Sequence, residues 1–147
     1  MQSSIYKQQP DSDIIRLELE LTSNCNLKCP LCIRTIVGAP DKNKYRSLEE
    51  ITQHLDRYTN LQYVTIAGAI AEPTTHPQLL DVIKYLKKRD VEISLYINGD
   101  TRTDDYYKKL GVLFRGCKGH VYFTMCGSTQ ELHERYRVNS NLQRVLS

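Results

Sequence analysis

The chain has 147 residues, enough for one domain of ordinary size but far short of the ~250 that a closed eight-unit strand–helix barrel needs. Hydrophobic residues make up 40% and charged residues 25%, the balance of a globular protein, which excludes a disordered tail, a collagen-like fibre and a membrane channel. A net charge of +3 is too small to argue for nucleic acid, and no apolar run approaches the ~18 residues of a membrane helix.

Residues 1–13 read as a polar leader with no signal-peptide core. In residues 14–22, Ile15, Leu17, Leu19 and Leu21 alternate with Arg16, Glu18, Glu20 and Thr22, the period of a strand. Residues 23–46 read as a long loop with Gly38 and Pro40 as breakers. Ser47 and Glu50 form a capping box that opens a helix with the stripe Leu48, Ile51, Leu55 and Tyr58. Residues 62–68 are a second strand and 69–76 a loop. Pro77 suits a helix first turn, and Leu79, Leu80, Ile83 and Leu86 carry that helix to about Arg89. Residues 91–98 are a third strand, closed by a turn at Gly99 and Asp100. A short helix over 104–110 is expected to stop at Gly111 as its C′ glycine. Residues 120–125 are a fourth strand. Ser128 with Glu131 is a second capping box, opening a helix to about Tyr136, and 140–146 start another.

Strand and helix therefore alternate four times, which predicts an α/β fold with a parallel sheet and right-handed crossovers. A strand buried on both faces should read as a near-continuous apolar run. These strands alternate instead, so helices are expected on one face only, in an open partial barrel. The other face would hold Glu18, Glu20, Ser94, Tyr96, Tyr122 and Thr124, either wet or covered by a partner or a missing segment.

The five cysteines are Cys25, Cys29, Cys32, Cys117 and Cys126, read as thiolate ligands or buried thiols rather than disulfides. The first three form C-x3-C-x2-C directly after the first strand, and can wrap one compact metal centre. Structural zinc wants four ligands, normally in two pairs, and no second pair exists. His76 and His120 stand alone. Three thiolates on a 4Fe–4S cube would leave one iron open for a small molecule.

On these residues the chain resembles the radical S-adenosylmethionine (SAM) superfamily, from the first strand to the fourth helix. The resemblance implies a 4Fe–4S cluster on Cys25, Cys29 and Cys32, with SAM chelating the fourth iron. It also implies reductive cleavage of SAM to a 5′-deoxyadenosyl radical that abstracts hydrogen from a substrate. The stretch 67–77 contains Glu72-Pro73 where the family has Gly-Gly-Glu-Pro, with Ala71 in place of a glycine, and places Glu72 on the SAM amino group. A surface carboxylate before a turn proline is the plainer alternative. Tyr96-Ile97-Asn98-Gly99 resembles the family's Thr-Asn-Gly, which makes Asn98 a SAM contact or simply a turn residue. In the fourth unit Thr124, Ser128 and Arg137 are the matching SAM contacts, and Cys126 stands where an aspartate is common. Cys117 and Cys126 read as buried thiols. Leu31 replaces the usual aromatic residue before the third cysteine. Lys28, Lys42, Lys44 and Arg46 make the cysteine loop basic, which suits a phosphate-bearing substrate or simple solvation.

The family's core has six units and this chain offers four, so a fragment, a truncated member or a chain that pairs with another is expected, open and prone to self-association at the strand-four edge. Residues 14–147 are then a half-barrel behind the leader. The implied setting is cytoplasmic, with a flavodoxin- or ferredoxin-like electron donor and a peptide or small metabolite as substrate. A noncatalytic iron–sulfur or metal-binding module, or a remnant acting as an interaction protein, is the alternative.

Overall fold

The computed structural model describes residues 11–38 and 44–147. Lys42, Pro40 and residues 1–10 of the expected leader lie outside the described residues. Four strands, β1 (Arg16–Leu19), β2 (Tyr63–Ile66), β3 (Glu92–Ile97) and β4 (Gly119–Phe123), form one parallel sheet in the order β1-β2-β3-β4. The helices between them are α1 (Ile33–Ile36), α2 (Leu48–Asp56), α3 (Leu79–Lys88) and α4 (Asp104–Phe114), followed by α5 (Gln130–Tyr136) and α6 (Leu142–Leu146).

The period-two reading holds across β2 and β3 and at Leu17, Leu19 and Val121, whereas Ile15 and Phe123, at the outer ends of the edge strands, are exposed. Val64, Ile66, Ile93, Leu95 and Ile97, with Leu17, Leu19 and Val121, share one cluster with Ile51 and Leu55 of α2, Val82, Ile83 and Leu86 of α3, and Leu110 of α4. Burying each such side chain is worth roughly 1.5–3 kcal/mol, so this one cluster dominates the apolar stabilisation. The opposite face is open: Tyr96 and Tyr122 keep 40% and 41% of their surface exposed. Helices thus cover one face, as the alternation requires. The cover thins toward β4, because α4 contributes a single buried residue, Leu110.

The Ser47–Glu50 capping box forms reciprocally: Ser47 N–H donates to Glu50 at 2.7 Å and Glu50 N–H to Ser47 Oγ at 3.2 Å. Other local expectations are corrected. The 23–46 segment is not all loop, since Ile33–Ile36 winds into α1 with Cys32 as its N-cap. The ends of that segment also pair, through an antiparallel bridge between Thr22 and Tyr45. Pro77 precedes α3 rather than starting it. His76, which precedes the proline, is extended, and Gln78 N–H bonds to His76 Nδ1 at 3.1 Å before the helix begins. Gly111 does not end α4: the helix runs on to Phe114 because Leu113 and Phe114 pack on the core, and the left-handed glycine is Gly116, with φ 65°. Thr129, not Ser128, caps α5, its Oγ1 accepting from Leu132 N–H at 3.3 Å. Residues 11–13 of the expected leader form a 3-10 turn that joins the domain, with Asn60 Nδ2 donating to Ser12 O at 2.8 Å.

Gly119 lies against β3 with no room for a side chain. A Cβ there would sit 1.9 Å from Ile93 O, so the strand pairing itself requires glycine. Among the described residues no helix is long and apolar enough to cross a membrane.

Candidate functional site

Parallel strands bring the loops that follow them to one end of the sheet, so the segments after β1, β2, β3 and β4 meet there. They enclose a cavity of about 340 Å³. Its walls include Cys25, Cys29 and Cys32, the turn from Gly68 to Glu72, Tyr96, Asn98, Thr124 and Arg137. The three cysteines and five of the six expected SAM contacts are therefore brought together. Ser128 is not: it is exposed and outside the cavity wall, because the chain turns away at α5. Leu31 is also turned to solvent, with 82% of its surface exposed.

The cysteine loop is fastened at every side. Glu72 N–H donates to Asn24 O at 2.7 Å, Asn98 Nδ2 to Asn26 Oδ1 at 2.8 Å, Asn26 Nδ2 to Asp100 O at 3.3 Å, and Lys28 N–H to Val138 O at 3.1 Å. Arg34, on the unforeseen helix α1, donates through Nη1 to Ile70 O at 3.2 Å and also to Ser23 O, tying the cysteine segment to the turn after β2. No sequence pattern marked Arg34 or Asn26, since each acts across a long sequence separation.

That turn is close-wound. A Cβ at Gly68 would stand 2.1 Å from Ala71 O, so Gly68 is fixed by contact. Ala71 sits where a glycine was anticipated, yet the non-glycine residues with positive φ among those described are Asp90 and Asn139, so its methyl group costs no left-handed strain.

Glu72 borders the cavity but its carboxylate faces inward. Oε1 accepts from Thr74 N–H at 3.1 Å and Thr74 Oγ1 at 2.6 Å, and Oε2 accepts from Asn98 N–H at 2.8 Å. Burial raises its pKa, against the lowering effect of those bonds. Asn98 is likewise committed: its Oδ1 accepts from Asp100 N–H at 3.0 Å and Thr101 Oγ1 at 3.2 Å, while its Nδ2 serves Asn26.

Burial pushes up the Cys25 and Cys29 thiols; Leu27 N–H, 3.4 Å from Cys25 Sγ, and the Arg137 charge near Cys29 act the other way. Cys126 corrects the expectation of a buried thiol. It is exposed, and its sulfur accepts from Arg137 Nε at 3.0 Å. Cys117 is half-buried and far along the chain, at the α4–β4 link, with its Sγ–H on Lys118 O.

Among the described residues no three His, Cys, Asp or Glu converge tightly enough to hold one metal ion. A cube of four irons holds its cysteines farther apart than a single ion does. On the cavity wall the Glu72 carboxylate is already paired, with Thr74 and Asn98.

A parallel sheet with a three-cysteine loop after its first strand defines the class, and the family model of the radical SAM superfamily matches residues 19–147. The chain belongs to that superfamily. It is 32% identical over 110 residues to the tungsten-containing aldehyde ferredoxin oxidoreductase cofactor-modifying protein of Pyrococcus furiosus, covering 74% of this chain and 30% of that protein. A probable GTP 3′,8-cyclase of Pyrococcus horikoshii is 32% identical over 88 residues, covering 60% of this chain and 28% of the other. The chain thus spans under a third of these relatives' length. Among solved structures, Streptococcus suis SuiB bound to S-adenosylmethionine superposes with a TM-score of 0.69 at 13% identity, over 84% of this chain and 28% of SuiB. SuiB bound to the precursor peptide SuiA gives 0.66, also at 13% identity, over 84% and 27%. These likenesses are of fold, and they agree with a partial barrel.

Proposed function

We propose that this chain is the cofactor-holding part of a radical SAM enzyme. Cys25, Cys29 and Cys32 would hold a 4Fe–4S cluster, and SAM would occupy the adjoining cavity. The observation that carries this reading is the convergence of the three cysteines, the 68–72 turn, Thr124 and Arg137 on one cavity. Such a group supplies the electron for reductive cleavage of SAM, and so a 5′-deoxyadenosyl radical for hydrogen abstraction.

The chain's own residues do the holding. Burial raises the pKa of the Cys25 and Cys29 thiols, which disfavours their thiolates in the unloaded loop. The 68–72 turn offers backbone to the SAM amino group, with Glu72 as its rear support. Arg137 offers a guanidinium to the SAM carboxylate, and Thr124, whose Oγ1 donates to Ile97 O at 3.1 Å, borders the adenosine side. Ser128 takes no part in this assignment. Residues 14–147 act as one half-barrel, in the reducing cytoplasm, with a flavodoxin- or ferredoxin-like donor. The substrate is a peptide or a small metabolite. SuiB was solved with a precursor peptide, and its sheet is of the same kind.

The test is anaerobic reconstitution. About four iron and four sulfide per chain are expected, lost on replacing Cys25, Cys29 or Cys32 by alanine and kept on replacing Cys117 or Cys126. Dithionite reduction with SAM should then release 5′-deoxyadenosine. A stable cluster with no such product would mark a noncatalytic module, and zinc bound in place of iron would refute the reading.

A further inference from the structure

The loop after β4 and the end of α5 close on each other through a ring of hydrogen bonds. Cys126 N–H donates to His133 Nδ1 at 3.4 Å, which leaves Nε2 of that imidazole to donate to Ser140 Oγ at 2.9 Å. Ser140 N–H donates to Arg137 O, and Arg137 N–H to His133 O, each at 2.9 Å. Arg137 Nε then reaches back to Cys126 Sγ at 3.0 Å and completes the circuit. His133 and Ser140, in its middle, are buried. The separation of Cys126 and Arg137 is therefore set by packed groups rather than by two free surface side chains. The circuit is also docked on the cysteine loop, because Lys28 N–H donates to Val138 O at 3.1 Å. That contact brings Arg137 to the cavity wall, where its charge acts on Cys29 and on the carboxylate of Glu72.

A guanidinium is a rigid plane with five N–H donors. Arg137 spends Nε–H on Cys126. Among the described residues no carboxylate lies in ion-pair contact with it, and no oxygen accepts from its terminal amino groups. Both oxygens of Glu72, the carboxylate of the same wall, are taken by Thr74 and Asn98. With Nε turned to the exposed sulfur, the terminal amino groups are what Arg137 has left for the cavity. Two such groups in one plane match the two oxygens of a carboxylate, and the match is lost when the plane turns. A side chain fixed in advance also gives up less freedom when a ligand arrives.

We propose that Cys126 is the positioning residue for this fork. Its sulfur holds the plane of Arg137 so that the terminal amino groups meet the carboxylate of SAM. The inference rests on the reading of the cavity as a SAM site, and it adds a residue that acts only through Arg137. The probes are SAM and decarboxylated SAM, titrated calorimetrically into the unloaded chain, where no iron competes for the carboxylate. The Nε–H signal of Arg137 is followed by NMR in the same samples, assigned with the Arg137→Lys variant.

SAM should bind about tenfold more tightly than decarboxylated SAM, and only SAM should shift the Arg137 signal. Cys126→Ala should remove most of that preference and leave the binding of decarboxylated SAM unchanged. Cys126→Asp, which returns an acceptor to Nε, should restore it. In an Arg137→Lys background, where no fork exists, Cys126→Ala should change nothing. Equal binding of the two ligands by the wild type, or binding of neither, would overturn the inference. So would an undiminished preference in a folded Cys126→Ala chain. A loss shared equally by both ligands, or one that persists in the Arg137→Lys background, would mean that Cys126 only supports its loop, and would overturn it too. Iron loading and 5′-deoxyadenosine release without the preference would strike this inference alone, whereas the preference without iron loading would strike only the enzymatic reading.

Discussion

Glu72 is the residue where two roles separate most cleanly. It is 4% exposed, and its two oxygens receive three hydrogen bonds, from Thr74 N–H, Thr74 Oγ1 and Asn98 N–H. Replacing it by glutamine keeps the size and one acceptor oxygen. The new NH2 group must face either Thr74 N–H or Asn98 N–H, and in both orientations a buried backbone N–H loses its acceptor. An orphaned buried donor costs about 1–3 kcal/mol, and the bonds that remain lose their charge assistance. The expected loss is therefore about 2–4 kcal/mol, or roughly 5–12 °C in melting temperature for a domain of this size. Burial raises the pKa of Glu72, so protonation already offsets part of the charge at acid pH, and the measurement belongs above neutrality. The assay is thermal and urea unfolding of the unloaded chain, where no SAM is present to be bound. A carboxylate whose work is only to face the SAM amino group would leave that stability untouched. A Glu72→Gln chain melting within a degree of the wild type would refute the inward-facing role.

Asn98→Ala should cost about 2–3 kcal/mol in urea unfolding, because it strands Asp100 N–H and breaks the tie to Asn26. It should also speed amide exchange at Leu27 and Lys28 in the cysteine loop; unchanged exchange there would show that the tie does not hold the loop. Burial lowers the pKa of His133, and its ring is already used, Nδ1 accepting from Cys126 N–H and Nε2 donating to Ser140 Oγ at 2.9 Å. The folded chain thus resists protonating His133 while the unfolded chain gains the proton as pH falls through 6.5, so its stabilising contribution is full above that pH and drains away below it. The stability gap between wild type and His133→Gln should accordingly narrow as pH falls from 7.5 towards 5.5, and a constant gap would contradict the neutral, doubly bonded ring.

The architecture was legible because it rests on periodicity. Alternation in residues 91–98 and the Ser47 capping box are local patterns that took the form expected, while the 14–22 alternation gave a shorter strand, Arg16–Leu19, with Ile15 exposed. The one-sided cover of helices followed from the same alternation. Local reading failed where tertiary packing overrides a breaker. Gly111 lies in mid-helix because Leu113 and Phe114 have a core to reach, which outweighs the ~1 kcal/mol that glycine costs there. Four residues of helix after Cys32 escaped notice for the opposite reason, being too short to show a period.

At the site the motif gave positions and withheld directions. C-x3-C-x2-C and Glu72-Pro73 both lie on walls of the cavity, since a motif fixes where the backbone passes. What each side chain does depends on partners far along the chain. Asn98 meets Asn26 across 72 positions, and Arg34 meets Ile70 across 36. Cys126 escapes burial because Arg137, eleven positions on, holds its sulfur at the surface. The buried polar groups of the cavity's back wall spend their capacity on one another. Asn98 Oδ1 and both oxygens of Glu72 are engaged before any ligand arrives. A ligand entering the cavity therefore meets backbone of the 68–72 turn, the thiols and Arg137, while the motif's polar side chains set the shape of the wall. Preorganisation of this kind removes ordering costs from the binding step, at the expense of making the wall intolerant of substitution. It follows that sequence changes at Glu72 and Asn98 should register first as loss of fold stability, whereas changes at Arg137 should register first as loss of ligand affinity.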